Sequence, residues 1–338
     1  MMEKVKKSKQ IKLLVLIGIV GLNFCFLFGV NAEDGKWAKK GDMPTAKLAP
    51  SCVVDGKIYL VGGMSESPNP LSILEEYDPK TDKWTKKADM PTPRGMLSVC
   101  ALNEKLYAIG GVSPGTTSAT EEYDPKTDKW TKKADIPTPR SFLSACAVNG
   151  KIYAIGGINE SLKTLPTVEE YDPITNKWTK KANMLTPRAF FSAVAFNNKI
   201  YCFGGLAKAG PMANGRNKEE IYLSSVEEYD PITDKWTKKA DMPTGRAGLS
   251  ASVVDGFIYA MGGQTASGEK VFLAERPISL STVEKYDPIT DKWTKISNMP
   301  TARYALTTAV VNNKIYVFGG SEDTIKPCSK VEEFTPEK

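Results

Sequence analysis

Five arginines recur along the chain in near-identical surroundings: Arg94, Arg140, Arg188, Arg246 and Arg303. Each ends a short segment of the type Met90-Pro91-Thr92-Pro93-Arg94 and stands just before a run of small apolar residues. A guanidinium is a rigid fork of donors that fits carboxylate or sulfate groups. Five brought together would make an anion-binding crown. The competing reading is that each arginine bonds loop carbonyls or an acid of the neighbouring repeat, and recurs only because its surroundings do. Tyr304 departs from the small residues that follow the other arginines (Gly95, Ser141, Ala189, Ala247), so it either reaches the same place or fills space. Lys47 is the nearest counterpart in the first repeat.

The chain has no histidine among its 338 residues. This excludes a Ser-His-Asp triad and any site built on imidazole ligands. Chemistry would have to rest on carboxylates, Lys, Tyr, Arg or Cys, and no metal or cofactor is implied. Glu219, Glu220, Glu269 and Glu275 fall in irregular stretches and are candidate acids or simply solvated charge. Cys52, Cys100 and Cys146 share one position in successive repeats, where Val194, Ser252 and Ala309 stand later, so that position reads as small and buried. Cys202 and Cys328 complete an odd set of five beyond residue 32, and one thiol at least stays outside any pairing within the chain.

Lys4, Lys6, Lys7, Lys9 and Lys12 precede an apolar run from Leu13 to Val30, and Val30-Asn31-Ala32 offers small residues for cleavage. Residues 1–32 are expected to be a signal peptide, or else an uncleaved anchor through residues 11–30, with the protein exported: secreted, periplasmic or on the cell surface. That stretch holds five Lys and one Glu, which leaves 40 basic and 38 acidic side chains. The remaining net charge of +2 gives no support to nucleic-acid binding.

The elements that position these residues repeat. Tryptophans at Trp37, Trp84, Trp130, Trp178, Trp236 and Trp293 are spaced by 47, 46, 48, 58 and 57 residues, with a Gly-Gly pair in each interval. Glu-Tyr-Asp-Pro or a relative precedes each tryptophan from Trp84 onward. Each unit reads as four short strands. A follows the arginine, B ends in Gly-Gly, C ends in Tyr-Asp, and D carries the tryptophan. The first tryptophan lacks a strand C, and the last unit, ending at Phe334, lacks a strand D. Residues 36–40 should therefore pair with 331–335 and close a ring. Approximate blades are 47–87, 95–133, 141–181, 189–239, 247–295 and 304–338 plus 36–40. Strand polarity puts the arginines and the variable loops on one face and the near-identical A–B and C–D turns on the other.

These marks resemble the kelch repeat family of the secreted, bacterial type, over about 300 residues. The resemblance implies an all-β, six-bladed β-propeller in which Gly-Gly, Tyr and Trp are architecture. It implies a monomeric, non-catalytic binding or scaffold protein that recognises a protein or glycan through the D–A and B–C loops. The repeats are also similar to those of N-acetylneuraminate epimerases, in which an acid and an arginine act on a carboxylated sugar. Galactose oxidase, another member, needs copper-binding histidines that this chain lacks.

Overall fold

Segments such as Lys151-Ile152-Tyr153-Ala154-Ile155 are short, β-branched and bounded by turn residues, and each forms a strand. The computed structural model describes residues 35–67, 69–208, 220–271, 274–322 and 326–337. The expected export segment, residues 1–32, lies outside them. Blade one is Ser51–Val54, Lys57–Val61, Leu74–Asp78 and Lys83–Lys86, paired antiparallel in that order. Four more blades repeat it in sequence. Blade six takes Thr307–Val311, Lys314–Phe318 and Val331–Thr335 from one end of the chain and Lys36–Lys39 from the other. The closing register sets Trp37 opposite Phe334 and Lys36 opposite Thr335. Each inner A strand touches the next, and the first touches the last, so the ring of six blades is complete.

The core lies between blades. Six apolar clusters occupy the six seams; one joins Tyr59, Val61 and Leu74 of blade one to Leu97, Leu106 and Tyr123 of blade two. Strand B is covered on both sides, which is why four of its five residues are buried in every blade. Hairpin turns such as Asn149-Gly150, with φ of +51° and +73°, join A to B.

A polar clasp reinforces five seams on the C–D-turn face. The Tyr77 hydroxyl donates to Asp82, and Asp82 also accepts the Gly41 amide of the preceding blade. Trp84 Nε1 donates to the Gly41 carbonyl at 3.2 Å. Tyr123, Tyr171, Tyr229 and Tyr286 repeat the device with Asp128, Asn176, Asp234 and Asp291. The seam between blades five and six has no such clasp. Phe334 replaces the tyrosine, Gly35 stands where the acid would be, and the buried Trp37 Nε1 has no acceptor. That seam relies instead on apolar contact, with the Tyr259 ring of blade five 6.1 Å from Phe334 of blade six.

Two blades carry extra hairpins in their B–C connections: Leu206–Lys208 with Glu220–Tyr222 in blade four, and Gln264–Val271 with Ala274–Ser279 in blade five. Both rise from the face on which the A strands begin.

Candidate functional site

The five arginines stand at the start of their A strands, but they do not form a crown. Arg94, Arg140, Arg188, Arg246 and Arg303 are fully buried. Each reaches across its own blade to the first Glu of the Glu-Glu pair, or of Glu284-Lys285, in strand C. The partners are Glu121 (2.7 Å), Glu169 (2.5 Å), Glu227 (2.5 Å), Glu284 (2.8 Å) and Glu332 (2.6 Å). Lys47 is their true counterpart, 3.0 Å from Glu75. Most other Nη donors go to main-chain oxygens, such as Gly110 and Ala119 for Arg94 and Gly319 and Lys330 for Arg303, while the buried Nε of each arginine has no acceptor. Burial lowers the pKa of Arg94, Arg140 and Lys47 against the opposing pull of their glutamates, and brings Arg246 down to about 10. An anion at the mouth would meet none of these charges. The arginine crown expected as one reading of the sequence is therefore replaced by six internal ion pairs. The acids belong to the same blade and not to a neighbour.

A threonine hydroxyl holds the second oxygen of most of these glutamates, as Thr92 does for Glu121 at 2.8 Å. Blade four differs. Leu185 takes the place of the proline seen in the other segments, and its free amide donates to Glu227 at 3.0 Å. Leu185 thereby exposes its side chain.

What lines the mouth is the residue two places after each arginine or Lys47: Ala49, Met96, Phe142, Phe190, Gly248 and Ala305. Five of these, all but Ala49, have φ between +52° and +63°. For Met and Phe this is an uncommon backbone state that neighbours must hold in place. A chain of amide-to-carbonyl bonds does so, running Phe142 to Met96, Phe190 to Phe142, Gly248 to Phe190 and Ala305 to Gly248 at 2.7–3.0 Å. Ala49 is followed by Pro50, which keeps it in the extended region, and blade one is left out of the chain.

Phe142 and Phe190 meet edge to face at 5.4 Å, and Tyr304 stands edge-on to Phe190 at 6.4 Å. Gly248 makes room for this, since a Cβ there would lie 2.7 Å from the Phe190 ring. Tyr304 is therefore part of the mouth, while the arginines beneath it are not. The aromatic collar opens into a cavity of about 270 Å³ whose wall carries Ser51, Ser98, Ser144, Ser192, Ser250 and Thr307. Five of these hydroxyls accept an amide from the next blade, for example Ser98 from Ala145 at 2.8 Å.

Beyond the collar, exposed apolar residues gather over blades three to five: Leu162, Leu185, Ile221 and Ile278, each at least 45% exposed. Glu219 lies outside the described residues, as do the side chains of Glu220, Glu269 and Glu275. Cys52, Cys100, Cys146 and Cys202 are buried free thiols whose pKa is pushed up by burial, and Cys328 is a half-buried free thiol. The collar was missed in the sequence because its position holds four residue types over the six repeats, from Gly to Phe. That variability, two residues past an otherwise constant arginine, was the available signal.

The Attractin/LZTR1 β-propeller family matches residues 58–327. Kelch-like protein 25 of Xenopus tropicalis is 32% identical over 127 residues, which is 38% of this chain and 21% of that protein. Kelch-like protein terF of Aspergillus terreus is 37% identical over 105 residues, 30% of this chain and 22% of that protein. These matches span about a fifth of each relative. The solved structure of YjhT superposes with a TM-score of 0.74 at 19% identity, covering 86% of this chain and 95% of its own. That likeness is one of fold.

Proposed function

The chain belongs to the Attractin/LZTR1 type of kelch-repeat β-propeller, and from that premise we propose that it is an exported, non-catalytic binding module whose ligand is a protein. The partner sits across the collar and the loops of blades three to five and places an apolar side chain at the mouth between Phe142, Phe190 and Tyr304. The observation that carries this reading is the concentration of exposed Leu162, Leu185, Ile221 and Ile278 beside that collar. Aliphatic groups held on a rigid frame suit the apolar centre of a protein interface. The epimerase reading asks for an arginine free to meet a carboxylated sugar, and among the described residues each of the five is buried against a glutamate, while the side chains of Arg216 and Arg276 lie outside them. Export rests on the basic and apolar pattern of residues 1–32.

The test is cross-linking of the propeller to proteins of its own source, followed by affinity measurement with the partner recovered. Phe142→Ser with Phe190→Ser should weaken binding at least about tenfold, as loss of a central aromatic anchor does. Undiminished capture would refute the proposed site. Accelerated anomer exchange of freshly dissolved sialic acid, followed by NMR, would favour the enzyme.

A further inference from the structure

The face opposite the collar carries its own apolar feature. In the C–D turns of blades three, four and five the sequence reads Asp-Pro-Ile, and Ile174, Ile232 and Ile289 are 88%, 82% and 84% exposed. Blades one and two have Lys80 and Lys126 at that turn position. A β-branched apolar side chain this exposed at a turn tip gains nothing for the fold, because its neighbours are bonded without it. The Ile174, Ile232 and Ile289 amides already donate to Asp172, Asp230 and Asp287. The same tip chemistry in three consecutive blades points to something outside the molecule.

Three observations identify the occupant. The tips belong to separate blades at equivalent positions, so they lie in one plane across the propeller axis but share no groove. A flat surface meets all three at once, whereas a protein ridge would have to span blade to blade. Each D strand that follows a tip begins with an exposed lysine, Lys177, Lys235 and Lys292. The second turn acids, Asp234 and Asp291, face inward to a tyrosine hydroxyl and a neighbouring blade's amide. Finally, strand Lys36–Lys39 runs in the D position of blade six, so Gly35 stands at this same turn level, and the sequence before it holds five lysines and the apolar run Leu13 to Val30.

We propose that the C–D-turn face is a membrane-docking surface: Ile174, Ile232 and Ile289 dip into the boundary of an anionic bilayer while the adjoining lysines sit among its headgroups. Apolar tips with basic neighbours are the chemistry of interfacial attachment, in which hydrophobic insertion and headgroup attraction add. The collar then points away from the lipid. The proposal stands independently of what the collar binds, since it uses other residues on the other face.

Vesicle flotation tests it with residues 33–338, which contain every paired strand of the closed ring and leave out the apolar run. The vesicles are equal parts phosphatidylglycerol and phosphatidylcholine at about 0.15 M salt. The propeller should float with them, and the I174S/I232S/I289S variant should lose about tenfold or more in partitioning with an unchanged melting temperature. The K80I/K126I variant, which extends the tips to five blades, should partition several-fold more strongly. Absence of binding by the unaltered propeller, equal binding by the serine variant, or no gain in the isoleucine variant would each overturn the proposal.

Discussion

Replacing Arg246 by methionine separates a structural arginine from a ligand-binding one. Methionine keeps most of the length and removes the guanidinium. Three acceptors then lose their donor in a site with no solvent: Glu284 Oε2 (2.8 Å), the Thr282 carbonyl (3.2 Å) and the Ala260 carbonyl (3.2 Å). Arg246 is 0% and Glu284 1% exposed, so water cannot take over. Thr244 still donates to the other Glu284 oxygen at 2.8 Å and offsets part of the loss. Removing one partner of a buried pair costs about 3–5 kcal/mol, mostly because the other charge is stranded. R246M should fall in that range by urea unfolding. Lys86→Met, at an exposed pair with Asp89 3.3 Å away, should stay within about 0.5 kcal/mol. A loss below about 1 kcal/mol for R246M, together with abolished ligand capture, would refute the structural assignment and restore the arginine to the binding site.

Phe334→Ala should cost about 3–5 kcal/mol by thermal or urea unfolding, because the ring is fully buried against Trp37 and Tyr259 at the seam that lacks the polar clasp. Acid sensitivity should trace in part to the Asp172 carboxylate, held at about 2 by its hydrogen bond to Lys151 and by the Ile174 amide, below the ordinary 3.8. A depressed folded pKa means that its stabilisation is present above about pH 4 and is lost as the pH falls towards 2. The gap in urea midpoint between the unaltered protein and D172N should accordingly be constant near neutrality and close in acid.

The fold was legible because its marks are local and repeated. Gly-Gly, Tyr-Asp and Trp each serve a task that recurs six times or nearly so, and the strand missing at one end matched the strand left over at the other. The arginines stayed open between a crown at the mouth and an internal role because their partners lie 27 to 39 residues further on. A repeated acid accompanied the repeated base throughout, Glu121 with Arg94 and Glu75 with Lys47, and that pairing of signs pointed inward. Tyr304 was legible as an exception. Phe142, Phe190 and Met96 were marked only by the variability of their position, since an apolar residue before a strand reads as one more core residue until the positive φ turns it to the axis. The tips at Ile174, Ile232 and Ile289 stood in plain view, but only exposure distinguishes them from buried isoleucines.

The strand that completes the last blade is, among the described residues, made before any other. Lys36–Lys39 must wait for Val331–Thr335, far later in the chain, before it has a partner. Long-range pairing of this kind is slow, and an idle edge invites association with other chains. Lys36, Lys39 and Lys40 keep the waiting segment charged and in solution. The strand that fastens the circle is clasped to blade one through Gly41 but not to blade five, where Trp37 Nε1 has no acceptor, so the seam between blades five and six is where unfolding should begin.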